Sequence, residues 1–185
     1  MEIKQILSDI ADELSRTFAA MDEGQLEELE RRVLAANRIF VAAAGRSLLA
    51  IRGFAMRLMH FGFEAYVVGE TVTPAIQSGD LLIIASGSGS TATLLVMAEK
   101  AKKAGADLVL ITTRPASPLG ALADHIVHLE AYTAKLPASG IESVQLGGNT
   151  FEQSVLIVGD AIIIHIAGSS DERNAELMSR HANLE

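Results

Sequence analysis

Five short blocks rich in branched aliphatic residues restrict the fold more than any other feature of this chain. They are RIFVAAAG (38–45), EAYVVG (64–69), DLLIIAS (80–86), DLVLITT (107–113) and HIVHLE (125–130). None shows the polar–apolar alternation of a half-exposed strand, so both faces of each are expected to be covered. Helix-length segments such as LLAIRGFAMRLMHFG (48–62) and residues 91–104 separate them. That order predicts a parallel sheet with helices on both sides, an α/β fold built as a three-layer α-β-α sandwich.

Flanking segments complete one expected domain over residues 1–185. Ile3, Ile6, Leu7, Ile10, Leu14 and Phe18 recur at three- and four-residue spacing and predict an amphipathic helix over 2–20. A second helix is expected over about 23–36, from Leu26, Leu29, Val33 and Leu34. The first helix lies outside the strand–helix pattern yet carries a full apolar stripe, which needs a partner; its own domain is one such partner, and exchange of the helix between subunits is the hypothesis set against it. The α/β core is expected over about 38–168, with a C-terminal helix (171–180) and tail filling 171–185. Residues 131–149 have no period and are expected to form a long loop, of the kind that is usually functional. Thr150 and Gln153 match a T-x-x-Q capping box and predict a helix from there to Ala167.

Composition removes several functions. A net charge of −8 argues against nucleic acid, which is bound mainly by clustered Lys and Arg. The absence of cysteine removes disulfides, thiolate metal sites and Cys nucleophiles. The start MEIKQILSDIADEL is charged and amphipathic, unlike a secretory signal. Asp160 and His165 interrupt the most apolar tract, SVLIVGDAIIIHIAG, so no membrane span is expected. A soluble, cytoplasmic chain follows as the expectation.

The loop SGSGST (86–91) falls between a strand and a helix, where ligands bind in parallel sheets. Backbone N–H groups at a helix start attract an anion. Glycines allow close approach, and the hydroxyls of Ser86, Ser88, Ser90 and Thr91 add uncharged donors, which together describe a cradle for one phosphoryl group. A P-loop would need a lysine that is missing, and a dinucleotide fingerprint would need glycine where Ala92 stands. A plain serine-rich turn is the remaining alternative. A second loop, AAAGRSLL, follows the first strand; there Ser47 is expected to cap the next helix and Arg46 to face the same ligand.

GRS at 45–47, FAMRLMHFGFEAYVVGETVTP, IIASGSGST, FEQS and the terminal SRHANLE together resemble the 6-phospho-3-hexuloisomerase family, within the sugar isomerase (SIS) domain superfamily. The resemblance covers nearly the whole chain. It implies a five-stranded parallel sheet of flavodoxin-like or Rossmann-like form and assembly as a homotetramer. It also implies conversion of D-arabino-3-hexulose 6-phosphate to D-fructose 6-phosphate without metal or organic cofactor. By the same resemblance, phosphate contacts fall on Ser47, Ser86, Ser88 and Thr91, the base on Glu152, and a family histidine on His181. Two departures stand out: Leu48 replaces a family glycine beside Arg46, and Gly147–Gly148 alter the stretch before Glu152.

The chemistry suits those residues. Moving a carbonyl from C3 to C2 removes a proton from C2 and returns one to C3 through an enediol, which calls for a carboxylate base and a proton shuttle. Glu152, in a first helical turn, sits where the helix dipole favours negative charge. His181 is expected to shuttle between O2 and O3, reaching into a neighbouring subunit. A 3-ketose phosphorylated on O6 cannot close a five- or six-membered ring, so the forward reaction needs no ring-opening acid, whereas fructose 6-phosphate does cyclise and the reverse relies on spontaneous opening. Glu70 and Thr71, in GETVTP, are candidate sugar contacts. His60, His125, His128 and His165 read as structural, and no histidine pair has ligand spacing backed by a carboxylate, so no metal is expected. A non-catalytic phosphosugar sensor, an isomerase of a related phosphosugar and an NADP-binding protein, the last through Arg114, stand as alternatives.

Overall fold

The computed structural model describes residues 2–131, 143–145, 147, 149–168, 175 and 177–184. Two helices, α1 (Ile3–Ala19) and α2 (Glu23–Ala35), precede the strand–helix core. The core runs β1 (Ile39–Ala43), α3 (Arg46–His60), β2 (Ala65–Val67), β3 (Leu81–Ala85), α4 (Ala92–Lys103), β4 (Asp107–Thr112), β5 (His125–His128) and α5 (Asn149–Ala167). The expected loop at 131–149 lies mostly outside the described residues; so does much of the expected C-terminal helix, of which 175 and 177–179 are helical.

The strands form one parallel sheet in the order β2-β1-β3-β4-β5, with Ile39 beside Leu81, Leu81 beside Asp107 and Val109 beside His125. Successive side chains alternate between two apolar clusters, as the pleat demands. Ile39, Val41, Leu81, Ile83 and Val109 face α2, α3 and α5. Phe40, Ala42, Leu82, Ile84 and Leu108 face α4 and the turn around Leu119. β1 therefore feeds a helix on one face and β3 a helix on the other.

α5 is the one described helix long and apolar enough to cross a membrane by length and composition, and half of it is buried in the fold. Phe151, Val155, Val158 and Ile162 belong to the core. Its polar interruptions are paired: Asp160 lies 3.4 Å from Arg57, and His165 Nδ1 lies 2.5 Å from Glu30. Of the other histidines, His125 Nε2 meets the Gln25 carbonyl at 2.8 Å, and the His128 backbone donates to Gln25. These contacts join α2 to β5.

α1 departs from its sequence pattern. Its buried residues are Glu13 and Thr17, whereas Ile3 and Leu7 of the apolar stripe are 78% and 62% exposed. Leu49, Met56, Leu156 and Ile164 are also exposed on α3 and α5, in the same layer. Ile6, Ile10 and Leu14 are half-buried and Phe18 packs against the core, so within one chain the stripe is exposed mainly at its N-terminal end.

α3 and α5 pack without a side chain between them at one point. A Cβ on Gly159 would fall 2.8 Å from the Cβ of Phe54 and 2.9 Å from its Cγ. Gly159→Ala gains up to ~1 kcal/mol of helix propensity, but forcing the helices apart costs about 1–3 kcal/mol. A net loss is expected, read as a lower urea midpoint at unchanged slope. A midpoint at or above wild type would show that the contact is loose.

Candidate functional site

A sheet whose order reverses between β1 and β3 opens a crevice at their carboxyl ends, because the next helices leave to opposite faces. A cleft of about 240 Å³ occupies that crevice. Residues 44–47 form one wall, residues 85–88 with Thr91 another, and Phe151, Glu152 and Gly147 close the third side. α3, α4 and α5 begin at Arg46, Ala92 and Asn149, so three helix N-termini converge on one small volume. Each carries partial positive charge, which favours an anion there.

Backbone geometry makes both loops possible. Gly45, with φ +61° and ψ −139°, turns β1 into α3, and side-chain-bearing residues rarely adopt that conformation. Gly45 is also the N-cap residue, so Ser47 lies inside the helix and caps nothing, contrary to expectation; its hydroxyl is left to the cleft. Gly89 has φ +61°, and a Cβ there would fall 2.1 Å from Ser117 Oγ. The turn between is fixed from the neighbouring strand, since Thr113 Oγ1 donates to the Gly87 carbonyl at 2.8 Å and the Ser86 backbone N–H donates to the Ile111 carbonyl. The cradle is therefore shaped by protein contacts before any ligand arrives.

One atom in the cradle stands out. Ser86 is 4% exposed, and its Oγ has no hydrogen-bond partner among the described residues although Ser86 lines the cleft. A buried hydroxyl without a partner is costly, and an acceptor in the cleft would remove that cost. Ser88 and Thr91 line the same wall. Ser90 does not: it is exposed, and its backbone N–H donates to Ser88 Oγ at 3.4 Å.

Glu152 lies in the first turn of α5 with its side chain 12% exposed, and its Oε1 accepts a hydrogen bond from Arg46 Nε. Arg46, 67% exposed, covers the carboxylate from the solvent side. Arg46 was expected to face the ligand; its position puts one cation beside both the acid and the cradle. Sequence reasoning missed this pairing and the threonine clamp on Gly87; two threonines ending an otherwise aliphatic strand were the available signal for the clamp.

Several expectations are corrected. Glu70 and Thr71 do not line the cleft; Glu70 is 3.3 Å from Arg52 and Thr71 is exposed. Leu48, which stands where the family has glycine, packs partly buried against the core. Thr150 is no N-cap, because α5 begins one residue earlier and the Thr150 hydroxyl donates to Glu13. Gln153 Oε1, the other half of the expected box, has no partner among the described residues. Gly147 does line the cleft, while Gly148 lies outside the described residues.

His181 is not brought to this cleft within one chain. Its ring stacks on His60 at 5.3 Å, at the C-terminal end of α3, while Arg46 and Ser47 stand at the N-terminal end. Fifteen helical residues separate the two ends by roughly 22 Å. His60 is buried, and burial, His181 and Arg57 all push its ring below the usual histidine range.

A profile of the SIS domain matches residues 33–145. The 3-hexulose-6-phosphate isomerase of Mycobacterium gastri is 45% identical over 184 residues, covering 100% of this chain and 92% of that one. The enzyme of the same name from Bacillus subtilis (strain 168) is 36% identical, covering 100% of both. A solved protein of Methanococcus jannaschii, whose structure led to an inferred function of 3-hexulose-6-phosphate isomerase, superposes with a TM-score of 0.80. It is 35% identical and covers 97% of this chain and 98% of its own.

Ser86→Ala separates ligand binding from stability. Removing a buried hydroxyl with no partner is expected to leave the melting temperature unchanged or slightly raised. Affinity for a phosphosugar, measured by calorimetry, is expected to drop about tenfold, the worth of one hydrogen bond to a charged group. Unchanged affinity would remove Ser86 from the cradle.

Proposed function

The chain belongs to the SIS-domain family and is a phosphosugar isomerase, and on that premise we propose that it interconverts D-arabino-3-hexulose 6-phosphate and D-fructose 6-phosphate through an enediol. The observation that carries the reading is Glu152, a mostly buried carboxylate at the lip of an uncharged phosphate cradle. The phosphate sits among Ser47, Ser86, Ser88 and Thr91 at the starts of α3 and α4. The open chain then extends toward α5, where Glu152 removes the C2 proton and returns it at C3. Arg46 leaves the carboxylate as substrate enters and meets the oxygens that gain negative charge, which is where a fixed cation lowers the barrier most.

The proton on O2 must reach O3. His181 is the proposed shuttle, supplied by a neighbouring subunit, since its own cleft is a helix length away. Assembly as a homotetramer is proposed with it. The exposed apolar residues on α1, α3 and α5 support an interface in that layer.

A coupled assay tests the reaction: 3-hexulose 6-phosphate is made from ribulose 5-phosphate and formaldehyde, and fructose 6-phosphate is read out. Glu152→Gln should lower kcat by on the order of 100- to 10,000-fold, the usual worth of a general base, while phosphosugar binding persists. Wild type that binds the sugar and never turns it over would make this chain a sensor. Subunit sharing has its own test. Glu152→Gln and His181→Ala chains, each inactive alone, should regain turnover when refolded together, because some mixed sites then hold both wild-type residues. Inactive mixtures at every ratio would remove His181 as a shared residue.

A further inference from the structure

Glu13 is a buried carboxylate that the chemistry above does not use. It lies on α1, is 6% exposed, and has no cation paired with it among the described residues. Its four partners are all donors. Val144 N–H donates to Oε1 at 2.7 Å. Ser143 Oγ, Thr150 Oγ1 and Gln145 Nε2 donate to Oε2 at 2.8, 3.0 and 3.1 Å. Only an ionised carboxylate offers acceptors on both oxygens and no donor. An amide there would set its NH₂ group against other donors.

Those partners lead directly to the base. Ser143 Oγ also accepts from the Gln145 backbone N–H, and Thr150 Oγ1 also accepts from Gln145 Nε2, so the group is cross-linked internally. Gly147 lies within the held stretch and lines the cleft. Thr150 belongs to the first turn of α5, two residues before Glu152. One turn further along α1, Thr17 donates to the Glu130 carbonyl at 3.1 Å. The chain leaving β5 and the chain entering α5 are thus fastened to one turn of α1. Burial pushes the Glu13 carboxyl up, but the hydrogen bonds from Ser143, Val144, Gln145 and Thr150 outweigh it and the net shift is downward. The carboxylate therefore stays ionised through the neutral range, and its stabilising contribution is lost only as pH falls through that lowered value.

We propose that Glu13 is a positioning residue for Glu152: its carboxylate sets the rotation and axial position of the first turn of α5, and with them the place of the base beside the cradle. The proposal rests on the isomerase reading of the same cleft. The cradle loops at 44–47 and 86–91 are held by other contacts, so positioning of the base and binding of the phosphate separate.

Glu13→Gln tests it, with wild type and Thr150→Val in parallel, by steady-state kinetics, calorimetry with inorganic phosphate, and amide exchange at Phe151 and Glu152. A displaced base is expected to lower kcat about 10- to 100-fold, while KM and phosphate affinity hold at wild-type values and the two amides exchange faster. Thr150→Val, which removes one of the four donors, should move kcat in the same direction by less. Unchanged kcat per folded molecule in both variants overturns the proposal, as does a parallel loss of kcat and phosphate affinity. Where Glu13→Gln does not fold, Thr150→Val alone decides. Wild type without turnover would sink the isomerase reading itself, a result distinct from active wild type with unaffected variants.

Discussion

The convergence of three helix N-termini on the gap between β1 and β3 is the constraint on which the site depends. It follows from strand order. β1 feeds α3 toward one face and β3 feeds α4 toward the other, so the loops separate and leave a crevice between them. Unpaired N–H groups at those helix starts supply positive potential without positive side chains. A chain with a net charge of −8 can in this way hold a cleft suited to an anion, with a neutral hydroxyl lining and, among the described residues, Arg46 as its one lining cation.

The third helix comes to the same place because α3 and α5 run parallel at close quarters. Contacts occur in the same order along both: Arg46 with Glu152, Gly53 near Leu156, Phe54 against Gly159, Arg57 with Asp160. Parallel helices in contact place their starts together, so a residue in the first turn of α5 meets the first turn of α3. Close packing at Gly159 is thereby tied to the alignment of Arg46 with Glu152, and a stability contact in the core becomes a geometric condition on the site.

Much of this was legible locally. The strand blocks, helix periods and the SGSGST loop are read from nearest neighbours in sequence, and each matches an observed element within a few residues. What was not legible depended on partners distant in sequence. The T-x-x-Q pattern at 150–153 looked like a capping box, but the Thr150 hydroxyl is taken by Glu13, 137 residues away. The α1 stripe pointed to an apolar contact face, yet Glu13 and Thr17 are the buried residues of α1, because Ser143, Val144, Gln145 and Thr150 donate to Glu13 and Thr17 donates to the Glu130 carbonyl. GETVTP looked like a ligand loop, but Glu70 faces Arg52. A polar side chain in a helix can cap, pair or anchor, and only the tertiary partner selects among these.

The Arg46–Glu152 pair shows how unequal burial shapes a site. Exposed ion pairs contribute little, about 0–1 kcal/mol, while removing one partner from a buried pair is expensive. Here the carboxylate is mostly buried and the guanidinium mostly exposed. Arg46 can rotate into water at small cost, its solvation replacing the lost contact. Glu152 cannot follow, since it is fixed by the first turn of α5. Under the proposed function, a dianion in the cradle would give the guanidinium a second negative partner on the same side of the cleft. In the proposed reaction the carboxylate would face the sugar carbon with the cation displaced but still near, the arrangement that proton transfer through an anionic intermediate requires.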